Sequence, residues 1–321
     1  MGRYIRKRLA TAVLTVFLSI ILNFLIIRLA PGDPISYITG QDFPSPELRA
    51  ELTAKYGFDR PLIVQFGVYL RSLLAGDLGK SIAGNRPVTD IIAERIGPTL
   101  LLALTSAIAA LLVGTSLGIY SARRPGSKFD TAMNGVSYVF DSMPPFWLGM
   151  MLSLIFASWF KLLPTSGMVD LRAGYTGFAH VLDVLRHLIL PAATVVLVTF
   201  PYFFRVARTS VIQAMSDDYV VTFRAAGMKE SRIFYKYVFR NAMLPTITAF
   251  GLTLAYVVAG VAVVEIVFAW PGTGSLMLNA IMQRDYPLLM GLYLVISISV
   301  AITMIVLDLV YALADPRIRY Q

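Results

Sequence analysis

The chain contains no cysteine among its 321 residues. That removes disulfides, thiolate metal centres and cysteine nucleophiles from consideration. Histidine is nearly absent as well. The two present, His180 and His187, stand roughly two helical turns apart, a spacing that does not make a metal site. Charge is scarce: Asp, Glu, Lys and Arg supply 15% of the chain, where a soluble domain carries roughly a quarter. A phosphate loop is missing too. The pattern G-x-x-x-x-G-K-[ST] is approached only at Gly79-Lys80-Ser81, and Leu74 holds the place of its first glycine. No internal repeat is visible, which weighs against inverted-repeat secondary transporters. The clustered His, Asp and Glu that a membrane-embedded enzyme needs are also wanting.

What is there is apolar sequence. Hydrophobic residues make up 57% of the chain and the mean hydropathy is +0.69. Runs of about twenty apolar residues, each enough to cross ~30 Å of hydrocarbon, recur along it. The first, Leu9–Ile27, follows the basic stretch Arg3 to Arg8. It is too long for a signal-peptide core and no small-residue cleavage site follows. Further spans are predicted at about 98–120, 131–160, 188–208, 245–268 and 288–313. The expected fold is therefore an all-α integral membrane protein with six transmembrane helices and both termini on one side. The domains expected are 1–30 (N-terminus and first span), 31–97 (external segment), 98–314 (five-helix core, with a polar loop at about 209–244) and 315–321 (tail).

Charge position explains the formal net charge of +9 better than nucleic acid does. Arg123, Arg124 and Lys128 crowd one short loop, Arg224, Lys229, Arg232, Lys236 and Arg240 the long one, and Arg317 and Arg319 the tail. By the positive-inside rule all three are cytoplasmic. Acids and bases nearly balance in the external segment, which is long enough to fold on the membrane surface. It either contacts a partner or caps the spans.

The long loop departs most from what a connection requires. Asp217 and Asp218 stand where carboxylates favour the positive end of a helix dipole. Tyr219 and Phe223 share a face at i, i+4, and Gly227 suits a left-handed C-cap. A second helix then sets Lys229, Arg232, Lys236 and Arg240 along one face and Ile233, Phe234, Tyr237 and Val238 along the other. That amphipathic pattern predicts a helix lying on the membrane. The first helix, less charged and predicted to expose aromatic and small residues, suits a groove in a partner. A surface helix pair with no partner is the alternative.

Intramembrane carboxylates are costly, ~2.5–3.5 kcal/mol on insertion scales. Asp141 falls inside the third span just before Pro144-Pro145, which free backbone carbonyls and kink the helix. It is either a translocation-path or gating residue or a carboxylate satisfied by a neighbouring helix. Glu265 and Asp308 lie near span ends and read as boundary or interhelix partners, with Glu265 also a candidate for the path. Gly114-x-x-x-Gly118, and Gly251 with Ala255 and Ala259, allow close helix approach.

Tyr219-Val220-x-Thr222-x-Arg224-Ala225-x-Gly227, followed by Arg240-Asn241-Ala242-x-Leu244-Pro245, resembles the cytoplasmic "EAA" loop of ABC-transporter permeases, closest to the dipeptide/oligopeptide/nickel branch. The likeness covers almost the whole chain. It includes Pro31-Gly32-Asp33-Pro34, Tyr56-Gly57-x-Asp59-Arg60-Pro61, Gly76-Asp77-Leu78-Gly79-x-Ser81, Arg86-Pro87-Val88 and Leu163-Pro164-x-Ser166-Gly167. Val264-Glu265-x-x-Phe268-x-Trp270-Pro271-Gly272-x-Gly274, Arg284-Asp285-Tyr286-Pro287 and Asp315-Pro316-Arg317-Ile318-Arg319 complete it. Phe223 and Ala226 depart from the branch, which often has Ala and Lys there, and the glutamate that names the motif is absent.

The resemblance implies a type I importer permease in the inner membrane. Its coupling helix would present Asp218, Tyr219, Thr222, Arg224, Ala225, Gly227 and Met228 to an ATPase. The implied partners are a second homologous permease, two ATP-binding subunits that hold ATP and Mg, and an extracytoplasmic solute-binding protein. The chain itself would bind no cofactor or metal and would not be an enzyme. Peptides, nickel complexes, glutathione and oligosaccharides are all solutes of such permeases. An ion-coupled transporter or channel is the competing reading.

Overall fold

The computed structural model describes residues 2–29, 35, 45–56 and 59–314. Pro31-Gly32-Asp33-Pro34, Gly57 and the tail 315–321 lie outside the described residues, as do the side chains of Ala255, Ala259 and Asp308. The described chain is helical, with one isolated antiparallel bridge, Lys80 to Pro87. It divides into two compact units, Met1–Thr99 with Pro271–Ile305 and Leu100–Trp270 with Val306–Gln321.

The first unit holds α1 (Gly2–Leu29), α2 (Pro46–Tyr56), α3 (Leu62–Leu74) and the opening turns of α4 (Val88–Ala122). The predicted start of α4 at residue 98 is corrected to Val88. Its early turns carry Asp90, Glu94 and Arg95 and so fall below any apolar window, yet backbone hydrogen bonding does not depend on that. The second unit takes α4 onward through α5 (Lys128–Ser142), α6 (Pro145–Leu152) and α7 (Gly177–Met215), with a π-type turn at Ser153–Trp159 after α6.

It continues with α8 (Asp218–Ala225) and α9 (Glu230–Ile233), a wide turn at Phe234–Val238, then α10 (Phe239–Gly260) and α11 (Ala262–Val267). Returning to the first unit, α12 is Thr273–Met282, and α13 (Tyr286–Ala314) closes the described chain.

Among the described residues four helices, α1, α4, α7 and α13, are long and apolar enough to cross a membrane, and a fifth span counts if a bent pair is one crossing. The six continuous spans expected are corrected at two places. The segment 131–160 is not one rod. It is α5 and then α6 with its π-type turn, bent by 104°. Pro144 and Pro145 lack the N–H groups that would carry the helix on, and Met143, preceding a proline, is extended (φ −81°, ψ 129°). The segment 245–268 is also divided, α10 ending at Gly260 and α11 starting at Ala262. Glycine is among the weakest helix formers.

Close packing in the second unit follows the glycine spacing. A Cβ on Gly114 would lie 2.5 Å from the Phe200 carbonyl oxygen, and one on Gly118 2.6 Å from that of Phe204. Only a helix without side chains at these two positions lets α4 meet α7 backbone to backbone. In the first unit Gly291 of α13 does similar work, its missing Cβ 2.5 Å from Val88 Cγ1.

Candidate functional site

The candidate site is α8 and the structure that holds it. Only Ser216 and Asp217 separate it from the end of α7. Its C-terminus is closed by two hydrogen bonds, Met228 N–H to the Phe223 carbonyl (3.0 Å) and Gly227 N–H to that of Arg224 (2.9 Å). This is the paired arrangement of a Schellman cap. Gly227 adopts φ +74° with open space around it, so its backbone conformation, not crowding, is what asks for glycine. Arg224 Nε donates to Glu230 Oε1 at 2.6 Å and Nη2 to Oε2 at 3.3 Å, tying α8 to α9 across the turn. The hydrogen bond from Arg224 holds the Glu230 carboxyl below the usual glutamate range, and Arg224 is raised in turn.

The aromatic residues of α8 do not face outward as the sequence led us to expect. Tyr219 and Phe223 do share a face, ring centroids 6.0 Å apart. That face turns inward: Phe223 packs at 4.4 Å on Tyr237, and the Tyr219 hydroxyl donates to the Ala214 carbonyl of α7 (3.1 Å). Val220 is fully buried among Val211, Ala214, Ile233, Phe234, Val238 and Ala242, with Met228 half-buried against the same cluster. The outward stripe is Asp218, Val221, Thr222 and Ala225, with Val221 61% exposed.

The amphipathic pattern after Gly227 is likewise as expected in its period but not in what covers it. Lys229, Arg232, Lys236 and Arg240 are exposed, while Ile233, Phe234 and Val238 are buried against α7 and α8. Ile233, Phe234 and Val238 are therefore spent on protein packing. Local periodicity marks which residues prefer burial; it does not say what buries them.

A second feature escaped sequence reasoning. Asp130, in the first turn of α5, is 3% exposed and gathers donors from three elements. Arg208 of α7 pairs with it at 2.6 and 2.8 Å. The Gly126 N–H donates at 2.8 Å, Asn134 Nδ2 at 3.1 Å, and the Ser121 hydroxyl from the end of α4. Beside it, Arg123 stacks 4.6 Å over the Phe234 ring and donates to the Tyr235 hydroxyl at 2.7 Å. The ends of α4 and α7 and the start of α5 are thus locked together, and Arg123 ties the end of α4 to the wide turn Phe234–Val238. An arginine at position 208, within a long apolar helix, was the signal that could have revealed this.

Asp141 meets Arg205 of α7 at 3.1 and 3.2 Å, so a neighbouring helix does satisfy it. Pro144 and Pro145 form the bend beside it. Glu265 is completely buried and does not face an open passage in this chain. Among the described residues no group of three or more His, Asp or Glu could hold a metal. His187 Nδ1 lies 2.9 Å from the Asp183 carbonyl oxygen.

Motifs far apart in sequence meet in pairs. The Ser81 hydroxyl donates to Asp285 Oδ2 at 2.5 Å, joining Gly76–Ser81 to Arg284–Pro287. The Gly167 N–H donates to the Phe268 carbonyl at 2.8 Å, joining Leu163–Gly167 to Val264–Gly274.

Comparison with known proteins covers nearly the whole chain. Residues 114–320 match the family of binding-protein-dependent transport system inner membrane components, and residues 1–103 the N-terminal part of the same kind of component. The oligopeptide transport system permease protein AppB of Bacillus subtilis is 35% identical over the whole of both chains. The di/tripeptide transport system permease protein DppB of Pseudomonas aeruginosa is 34% identical over 99% of each, and the dipeptide permease DppB of Escherichia coli K12 32% over 100% of each. Among solved structures, the inward-facing MetNI methionine ABC transporter matches with a TM-score of 0.56 at 14% identity. The match covers 71% of this chain and 97% of that one, and it concerns the fold.

Proposed function

The chain belongs to the binding-protein-dependent transport system inner-membrane components, multi-pass membrane permeases of ABC importers that work with other subunits, and from that membership we propose that α8 is where an ATPase drives it. The observation that carries this is the helix's two-faced construction. One face is anchored to α7 through Tyr219, Val220 and Phe223. The other offers a small stripe of Asp218, Val221, Thr222 and Ala225, of a size to seat in a cleft. Arg224, Gly227 and Met228 hold the turn that fixes its angle. Because α8 follows α7 after two residues, and Asp130 ties α7 to α4 and α5, a push on α8 moves several spans together.

The solute is a peptide of a few residues, as the names of the full-length relatives indicate. Transport proceeds by alternating access with a second homologous permease, two ATP-binding subunits carrying ATP and Mg2+, and an extracytoplasmic binding protein. The loop bearing α8 and both termini are cytoplasmic, which agrees with the basic residues concentrated there.

The test is co-purification of the ATPase subunits from membranes in mild detergent with wild type, V221R/A225R, and K236A as control. The outer-face variant should lose the ATPases and keep the partner permease, and the control should keep both. Full ATPase recovery with V221R/A225R would overturn the assignment.

A further inference from the structure

Two arginines one turn apart on α7 pair with two aspartates of α5, and the pairs differ in surroundings. Asp130–Arg208 is the more enclosed, its side chains 4% and 24% exposed. Arg205–Asp141 lies three residues before it on α7 and eleven after it on α5, next to the bend, and its side chains remain 33% and 43% exposed. Tyr138 (60%) and Tyr202 (39%) stand exposed close by in sequence, one turn from Asp141 and from Arg205 respectively. Ser142 and Pro144, at the 104° bend, are exposed too. Charges facing hydrocarbon are heavily penalised, so ionised groups in membrane spans face water-filled cavities or protein. The Arg205 Nη1 atom lies 3.1 Å from Asp141 Oδ2, and it is itself buried and makes no hydrogen bond, so it meets a new partner only when the pair opens. Its donor capacity is only partly used.

We propose that Asp141 and Arg205, flanked by Tyr138 and Tyr202, form a way-station in the translocation passage that binds the charged termini of a zwitterionic peptide, Asp141 taking the ammonium and the Arg205 fork the carboxylate. The proposal rests on the peptide reading given above. The chemistry is an exchange of partners. With no solute each side chain neutralises the other. An extended dipeptide, spanning at most about 7 Å, replaces one internal ion pair by two pairs with its own ends, so no charge is stranded at either stage. Arginine suits the carboxylate because its planar fork binds it bidentately. The tyrosine rings offer the ammonium a cation–π face and their hydroxyls can reach the peptide bond. Proline-broken backbone at this depth is what a cavity-lining position tolerates.

The experiment uses the whole importer in proteoliposomes with its binding protein and a free, unblocked dipeptide. The matched neutral variant D141N/R205Q leaves no uncompensated charge, so a merely structural pair would survive it. We expect peptide uptake to fall by about tenfold or more, the size of a lost charge-assisted contact, while binding-protein-stimulated ATP hydrolysis stays within about twofold. Should that variant fail to assemble, R205K keeps the charge but loses the fork. It should raise the half-saturating peptide concentration by at least about threefold with coupling intact. Uptake unchanged in D141N/R205Q, or in R205K where that variant decides, overturns the way-station. A wild-type complex that hydrolyses ATP but imports no peptide overturns the peptide reading, and this proposal with it.

Discussion

Each unit of the molecule has a buried aspartate that organises its polar contacts, and the two are built differently. Asp285, just before α13, is satisfied by neutral donors: the Ser81 hydroxyl at 2.5 Å and the N–H groups of Ala83 and Leu288, both at 3.2 Å. Asp130 is satisfied by comparable neutral donors and also by a guanidinium. The first is a helix cap that gathers a loop, and the second is a charged rivet among three helices. A cap can lose its partner to water. A rivet that loses one half leaves the other charge stranded.

The most severe test of that difference is Asp130→Ala, which isolates Arg208. A loss of about 3–5 kcal/mol is expected, visible as a large fall in the thermal unfolding midpoint in detergent. D130A/R208M should recover part of it; a double variant as unstable as the single one would mean the charge is not the cause. Next comes helix contact. Gly114→Ala meets the Phe200 backbone carbonyl at 2.5 Å, whereas Gly291→Ala meets side chains only, Val88 Cγ1 at the same distance and Ile92 Cδ1 at 3.1 Å. The first should cost about 2–3 kcal/mol and the second about 1, because a side chain can turn aside and a backbone cannot. Equal costs would erase the contrast.

Ser81→Ala should cost about 1–2 kcal/mol, one buried hydrogen bond to a carboxylate, with no charge left unpaired. A loss as large as that of D130A would make the two aspartates equivalent.

The smallest effect belongs to the exposed pair at the α8 turn. Glu230 is held below its ordinary pKa by Arg224. Its contribution is therefore present above the unfolded-state pKa and lost as pH falls through the lowered folded value. Glu230→Gln should lower the unfolding midpoint barely at neutral pH and not at all once the pH is below that value. A penalty that grew on acidification would reverse the sign.

Much of this was legible without coordinates. The Gly227 cap, the i, i+4 pairing of Tyr219 with Phe223, and the close helix approach at Gly114 and Gly118 each depend on one or a few neighbouring residues. The partner of Asp141 was not legible: Arg205 stands 64 residues away in sequence, and only the crossing of α5 with α7 brings the two together. The span boundaries were less legible. Hydropathy follows the apolar stretch, while helices run on through polar turns, as at Val88–Pro98, and break where proline removes donors, as at Pro144-Pro145.

By itself the sequence determined the membrane class, the family, the helix periods and the positive-φ turn at Gly227, because each is written in composition or in a short window where one dihedral or one repeat decides. Tertiary structure alone decided that Tyr219 and Phe223 point inward, that the amphipathic face after Gly227 is covered by protein, and that Asp130 finds Arg208. Those two are 78 residues apart. Which distant donor reaches a buried carboxylate depends on how whole helices cross, and no local window carries that.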